Sequence, residues 1–382
     1  MKRSILALAA LVACAGAAAQ GASSVTIFGG VDGNLTRVSA DGRGHVWQVR
    51  DGGMYVSKIG FTGSEDLGGG FRAHFYLESQ ANSDTGTGSA TNTNNLFSGS
   101  SPAGAFAWNR KATVSLFTPV GEVRMGRDYV STFVPPTYFD PFFSAGVASA
   151  VNFQPYYKYI APIGQTLAPG TLVRASNMAA YYIPATWVRG LYAYGQVALG
   201  EGTGARYTGI GSGYRTGPLF VAAAFGKTKS PFIDGGAYLT AATANPANTL
   251  TVWSAGASYD FNGFKVMGFY HSQNVDSFGQ LGGPTEKDRK VDDFLIGFSW
   301  AIGVNTIKAS VMQRNDKGLA DADSRQLGLG YSYHLSKRTA VYANYVNIKN
   351  ENSANYNFIA SGFLPTAGGK ASAIQAGVSH SF

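Results

Sequence analysis

Phe71-Arg72-Ala73-His74-Phe75-Tyr76-Leu77-Glu78 changes character at every step. In an extended chain Phe71, Ala73, Phe75 and Leu77 fall on one face, and Arg72, His74, Tyr76 and Glu78 on the other. The period recurs along the chain. Leu191, Ala193, Gly195, Val197 and Leu199 oppose Tyr192, Tyr194 and Gln196; Ile307, Ala309 and Val311 oppose Thr306, Lys308 and Ser310; Leu327, Leu329, Tyr331 and Tyr333 oppose Gln326, Gly328, Ser332 and His334. Soluble sandwiches alternate too, so the connections must discriminate. Short turns fall at 65–70, 118–121, 185–190, 216–218, 262–263, 301–303 and 336–338. Between them every second connection is longer and rich in Gly, Ser, Thr, Asn and Pro, as at 82–105, 227–248, 274–290 and 351–369. Short turns on one rim and long loops on the other define an antiparallel barrel that spans a membrane.

Composition agrees. Charged residues make up 14% of the chain, against about 25% in an ordinary soluble domain. There are 50 Gly, 21 Tyr and 24 Phe, yet mean hydropathy is −0.04. No apolar stretch beyond the N-terminus approaches the roughly 20 residues of a membrane helix. A poorly charged, aromatic, exported chain without spanning helices is accommodated by a closed sheet, in which every backbone group finds a partner strand. The formal charge of +8 is spread along the sequence rather than gathered in a tract, which argues against nucleic acid and for a basic lumen.

Export is read from the first residues. Lys2 and Arg3 precede an apolar run too short to cross a bilayer, and Ala17-Ala18-Ala19 offers a cleavage site, so 1–19 is expected to be a cleaved signal and 20–382 the barrel. Leu11-Val12-Ala13-Cys14 resembles a lipoprotein box, but Ala15 to Ala19 lack the polar tether that follows such a cysteine. Cys14 is the sole cysteine, so disulfides and thiolate chemistry are excluded from the mature chain.

Sixteen strands are expected, over 24–38, 54–63, 71–81, 106–117, 122–130, 174–184, 191–200, 206–216, 219–227, 249–261, 264–273, 291–301, 304–314, 324–334, 339–349 and 371–382. The fourth, eighth and eleventh alternate poorly. A barrel of that size encloses water. In the last strand Ile374, Ala376, Val378 and Phe382 share a face, with His380 in the same row. An alternating strand ending on the aromatic Phe382 resembles the signal read by the outer-membrane barrel assembly machinery.

Several motifs, in order, resemble the Gram-negative general porins, specifically the neisserial and β-proteobacterial branch. They are Ser24-Val25-Thr26-Ile27-Phe28-Gly29, the run from Ser57-Lys58-Ile59-Gly60-Phe61 to Asp66-Leu67-Gly68-Gly69-Gly70, Asn109-Arg110-Lys111-Ala112, Gly126-Arg127-Asp128-Tyr129, Asp140-Pro141-Phe142, Leu335-Ser336-Lys337-Arg338-Thr339 and Gly377-Val378-Ser379-His380-Ser381-Phe382. The resemblance spans essentially the whole mature chain. It implies a homotrimer of sixteen-stranded barrels for passive diffusion of small hydrophilic solutes and ions, set in outer-membrane lipid and lipopolysaccharide. It further implies a third extracellular loop folded into the lumen, here 131–173. That loop carries Phe133, Tyr138, Phe139, Phe142, Phe143 and Phe153, too apolar for a solvated tip, and is stiffened by Pro135, Pro136, Pro141 and Pro155.

By resemblance, wall cations facing loop acids fall on Lys58, Arg110 and Arg174, with Asp140 as the loop acid. Lys58 stands where arginine is usual, which keeps the charge and loses the planar fork. Asp140 is the only acid between Ser131 and Val173, and Lys158 adds a positive charge there. Three cations against one acid give a positive narrowing and an anion preference. The alternative for each cation is a pairing with a neighbouring carboxylate that fixes barrel shape. Arg72, His74, Arg124 and Arg127 are secondary candidates for lumen lining or such pairs.

No motif implies an enzyme, a cofactor or a metal. Gly209-Ile210-Gly211-Ser212-Gly213 falls within a strand rather than between strand and helix. The five His lack ligand spacing, with His45 placed on a loop. Asp292-Asp293 is placed at an outer rim, where plain solvation is the expected role and binding of divalent cations, or of lipopolysaccharide bridged by them, the alternative. Barrel enzymes would need a convergent Ser/His/Asp set, and an adhesin longer loops. A substrate-specific channel is the nearest rival, with Tyr192, Tyr194 and Tyr207 as a polar track.

Overall fold

The computed structural model describes residues 24–93, 95, 106–153, 171–201, 205–229, 249–276, 288–317, 322–358 and 361–382. The expected signal 1–19, Lys158 and most of 154–173 lie outside them. The strands are β1 (Ser24–Ala40), β2 (Gly44–Asp51), β3 (Lys58–Gly68), β4 (Phe71–Gln80), β5 (Lys111–Thr118), β6 (Gly121–Tyr129), β7 (Arg174–Tyr182), β8 (Leu191–Ala198) and β9 (Arg206–Thr216). They continue as β10 (Leu219–Lys229), β11 (Thr249–Asp260), β12 (Phe264–Asp276), β13 (Asp288–Ile302), β14 (Asn305–Asp316), β15 (Ser324–His334), β16 (Thr339–Asn350) and β17 (Lys370–Ser381).

Every neighbouring pair is antiparallel, and β1 closes the sheet by pairing with β17 over Gly30↔Ser381 to Ala40↔Ala371. The other edge of β1 is shared: its second half pairs with β2, its first half with β3. The 17 strands therefore make sixteen staves, one of them interrupted at 52–57. β2 corrects the sequence reading, which began that stave at 54 and placed His45 on a loop; His45 is a strand residue.

Outward rows are apolar and exposed, as with Leu327, Leu329, Tyr331 and Tyr333 on β15, while Gln326, Gly328 and Ser332 turn inward and are covered. The poor alternation at 206–216 disappears in the structure. Gly209, Gly211 and Gly213 face inward beneath the side chains of Tyr207, Tyr194 and Tyr192, where an added Cβ would meet the hydroxyl or ring atoms at 2.2–2.6 Å. Along 264–273 both rows are apolar because Met267 and Phe269 point inward and are covered from the lumen side. The expected strand 106–117 begins only at Lys111 and alternates from there.

The cover is the segment after β6. It runs through a 3-10 turn (Ser131–Phe133), the short helix α1 (Val134–Tyr138) and a second 3-10 turn (Ala150–Asn152). Phe139, Phe142, Val147, Ala148 and Phe153 pack on Phe220, Met267, Leu295, Met312, Ile348 and Tyr356. The hydrophobic core thus lies inside the barrel, between inserted chain and wall, rather than between two sheets.

Candidate functional site: a cationic narrowing

Two inserts narrow the lumen. The first is the break at 52–57. Asp32 on β1 is fully buried, and its carboxylate accepts the backbone N–H of Gly53 (2.9 Å), Met54 (2.9 Å) and Tyr55 (3.0 Å) together with the Tyr342 hydroxyl. Three successive amides turned onto one carboxylate cannot also serve a ladder, so the chain leaves the wall. Gly53 is required there, since a Cβ would sit 1.9 Å from the Tyr342 hydroxyl.

The second insert is the loop, which docks on the first: Gly146 N–H donates to the Gly52 carbonyl at 3.0 Å. Gly146 has φ +75°, and a Cβ would lie 2.1 Å from the Gly53 carbonyl. Asp140 holds this loop together. It is fully buried and accepts the amides of Phe142 (2.9 Å), Ser144 (3.1 Å) and Ala150 (2.9 Å). Burial pushes its carboxyl above the ordinary range, with the three amides opposing the rise. Asp140 is not among the residues that line the open space beside Arg110 and Arg174, and the wall cation that acts on it is Lys308 on β14 rather than Lys58, Arg110 or Arg174.

The open space beside the loop measures about 500 Å³ and is lined on its charged side by Arg50, Asp51, Arg110 and Arg174. Lys58 and Arg110 converge on one acid, Glu78: Lys58 Nζ lies 3.1 Å from Oε2, and Arg110 Nε donates to Oε1. Tyr76 adds its hydroxyl to Glu78 at 2.9 Å. Arg174 has no carboxylate partner among the described residues. It donates to the Tyr129 hydroxyl at 2.8 Å, with its guanidinium 4.4 Å from that ring's centroid, and Arg110 reaches the same hydroxyl at 3.2 Å. The structure therefore brings Lys58, Arg110 and Arg174 into one cluster organised by Glu78 and Tyr129.

Neither organiser was singled out from sequence. Glu78 carried a usable signal as the only acid on the polar face of the stretch 71–78. Arg50 and Asp51 went unnoticed because β2 did. Among the charges that line this space or pair with its lining, Arg50, Lys58, Arg110 and Arg174 stand against Asp51 and Glu78, an excess of two positive charges, with Asp84 acting on Arg50 from outside the lining.

Of the secondary candidates Arg127 adjoins Arg174, and the others lie elsewhere. Arg124 is held between Glu122 and Asp128, each at 2.8 Å, and Lys111 reaches Asp128 at 3.0 Å. Arg72 lies 3.9 Å over the Phe117 ring, and His74 hydrogen-bonds Thr62 at 2.9 Å. Arg127 donates to the Asn109 carbonyl (2.7 Å), the Asn92 carbonyl (3.1 Å) and Ser176 (2.9 Å). Asp292 and Asp293 are not at a solvated rim. Asp293 is fully buried in a two-pronged bond with Arg314 (2.7 and 2.6 Å), and Asp292 accepts from Ser272. No cluster suited to a metal ion occurs among the described residues.

A closed sixteen-stave wall, apolar outside and narrowed by inserts over a cationic inner face, is a membrane pore. The chain belongs to the Gram-negative porin family, whose model matches residues 7–353. It is 33% identical over 393 residues to outer membrane porin protein 32 of Delftia acidovorans, with both chains fully covered. To an outer membrane porin protein of Bordetella pertussis it is 28% identical over 433 residues, again with full coverage. Among solved structures it resembles an anion-selective porin from Comamonas acidovorans, with TM-score 0.78 and 29% identity over 94% of this chain and 100% of that one. The protein is an outer-membrane diffusion channel.

Proposed function

We propose that the channel prefers small hydrophilic anions, and that Lys58, Arg110 and Arg174 set this preference while Asp140 builds the loop. The observation that carries the reading is Arg174, a wall cation held by a tyrosine and matched by no carboxylate among the described residues. An uncompensated charge beside a narrow aqueous path attracts counter-ions and repels co-ions. The anion selectivity named for the Comamonas structure supports the same sign. A reversal potential across a planar bilayer under a salt gradient tests it, and cation preference refutes it.

The functional unit on this reading is a homotrimer, inserted by the barrel assembly machinery through the strand that ends at Phe382, after removal of 1–19. It sits in a lipopolysaccharide-bearing leaflet and performs no catalysis. Conductance steps in groups of three test the trimer. The rival substrate-specific channel loses one element of its tyrosine track, because Tyr207 is buried under the loop on Ser131 at 2.8 Å.

A further inference from the structure

We propose that the outer face of β8–β10 carries a binding site for a phosphorylated glycolipid of the outer leaflet, which names a place for the lipopolysaccharide contact proposed above. The site has a charged top and an apolar body. At the long-loop rim, the extracellular one in such barrels, Arg206 is the register partner of Lys229, and Lys227 follows two residues along β10. All three are exposed and stand in the outward rows of β9 and β10. Like charges directly opposite on neighbouring strands repel, and none of the three makes an ion pair among the described residues. Among the described residues the first rim acid on the β11 side, Asp276, lies two strands away beyond Thr249 and accepts from Asn274 at 2.7 Å. This row of cations calls for an external anion.

Directly below it the wall is grooved. Tyr181, Gly195, Ile210 and Phe225 form one rung across four strands, and Val197 and Thr208 stand on the rung above, beside Lys227. Gly195 leaves a gap between Tyr181 and Ile210, since nothing lies within 4 Å of where its Cβ would be. The resulting hollow of about 620 Å³ is apolar and opens to the lipid side. Val197, Ile210 and Phe225 are 46%, 63% and 43% exposed. An acyl chain laid along it carries its headgroup to the level of Lys227, Lys229 and Arg206. Three cations spread over roughly 7 Å, two residues of strand, match a headgroup with two phosphates better than one with a single phosphate, and arginine suits phosphate oxygens by its planar fork.

The test uses the purified full-length protein in detergent, with bound lipid counted by native mass spectrometry. The probes are bisphosphorylated lipid A, its dephosphorylated form and phosphatidylglycerol. Wild type is expected to bind lipid A at least about tenfold more tightly than R206Q/K227Q/K229Q, while the dephosphorylated form binds both equally. Gly195→Leu fills open space without strain and is expected to weaken both lipid A forms. Single-channel conductance is expected to stay unchanged in both variants, since neither touches the lumen; absence of conductance in wild type would speak against the pore reading alone. Equal binding of lipid A by wild type and the triple variant overturns the site. So does equal binding of phosphatidylglycerol, or a changed number of subunits in either variant, which would make this face a contact between copies of the chain.

Discussion

Replacing Arg174 by Gln is the sharpest test of the charge argument, because this cation leaves no orphaned acid behind. The narrowing then carries one excess positive charge instead of two. For an ion passing about 5 Å away in water, one unit charge contributes about 0.8 kcal/mol. Screening at 0.15 M salt, with a Debye length of about 8 Å, reduces this to about 0.45 kcal/mol. That is roughly a factor of two for the anion and its inverse for the cation, so the anion-to-cation permeability ratio should fall about four- to fivefold. In 1 M salt the Debye length is about 3 Å and the same substitution should change the ratio less than about twofold. Arg174→Lys should keep most of the preference, since it retains the charge and loses only the stacked fork on Tyr129. Reversal potentials of single channels at both salt concentrations check this. An unchanged ratio for Arg174→Gln at low salt, or a larger effect at high salt than at low, would refute the reasoning.

Other expectations concern the supports of the site. Glu78→Gln should raise anion preference about two- to fourfold by freeing Lys58 and Arg110, and lower the melting temperature of the barrel; a shift towards cations would contradict the shared-acid geometry. Asp140→Ala should make the channel larger and noisier with no reversal of ion preference, read from open-channel current and its fluctuations. A large gain in anion preference at unchanged conductance would instead place Asp140 in the field. Asp32→Ala should cost on the order of 3 kcal/mol in urea unfolding, since three amides and a hydroxyl lose their acceptor. Unaltered unfolding would show that 52–57 is held by other contacts.

The wall was legible because lipid and water impose opposite demands on alternate residues. It became illegible where that contrast vanishes. On β9 the inward row is glycine, made covered by tyrosines that belong partly to β8. On β12 the inward row is apolar because a distant loop lies on it. β2 was lost because it follows a turn of only three residues at the rim where the long loops lie. The cations Lys58, Arg110 and Arg174 came from motif order, and the structure gathers them. The amide partners of Asp140 were not legible, because an acid in an apolar loop looks the same whether it faces an ion path or its own backbone. Its bond to the amide two residues on, across Pro141, is an Asx-turn that the sequence Asp140-Pro141-Phe142 does encode.

The sign of a pore is a matter of which charges remain uncancelled, and here the partners decide it. Arg124 is a wall arginine too, yet its position between Glu122 and Asp128 removes it as a source of field. Arg174 faces the opposite situation: a half-buried cation must be held, or burial drives it out of place. A carboxylate would hold it and cancel it. Tyr129 supplies a neutral acceptor and a π face, which fix the guanidinium while leaving its charge intact. The same hydroxyl reaches Arg110, so one uncharged side chain ties two cations to the wall. On the proposed reading the field that acts on passing ions comes from this arrangement, with Arg174 anchored on a neutral group and the one acid Glu78 shared by Lys58 and Arg110.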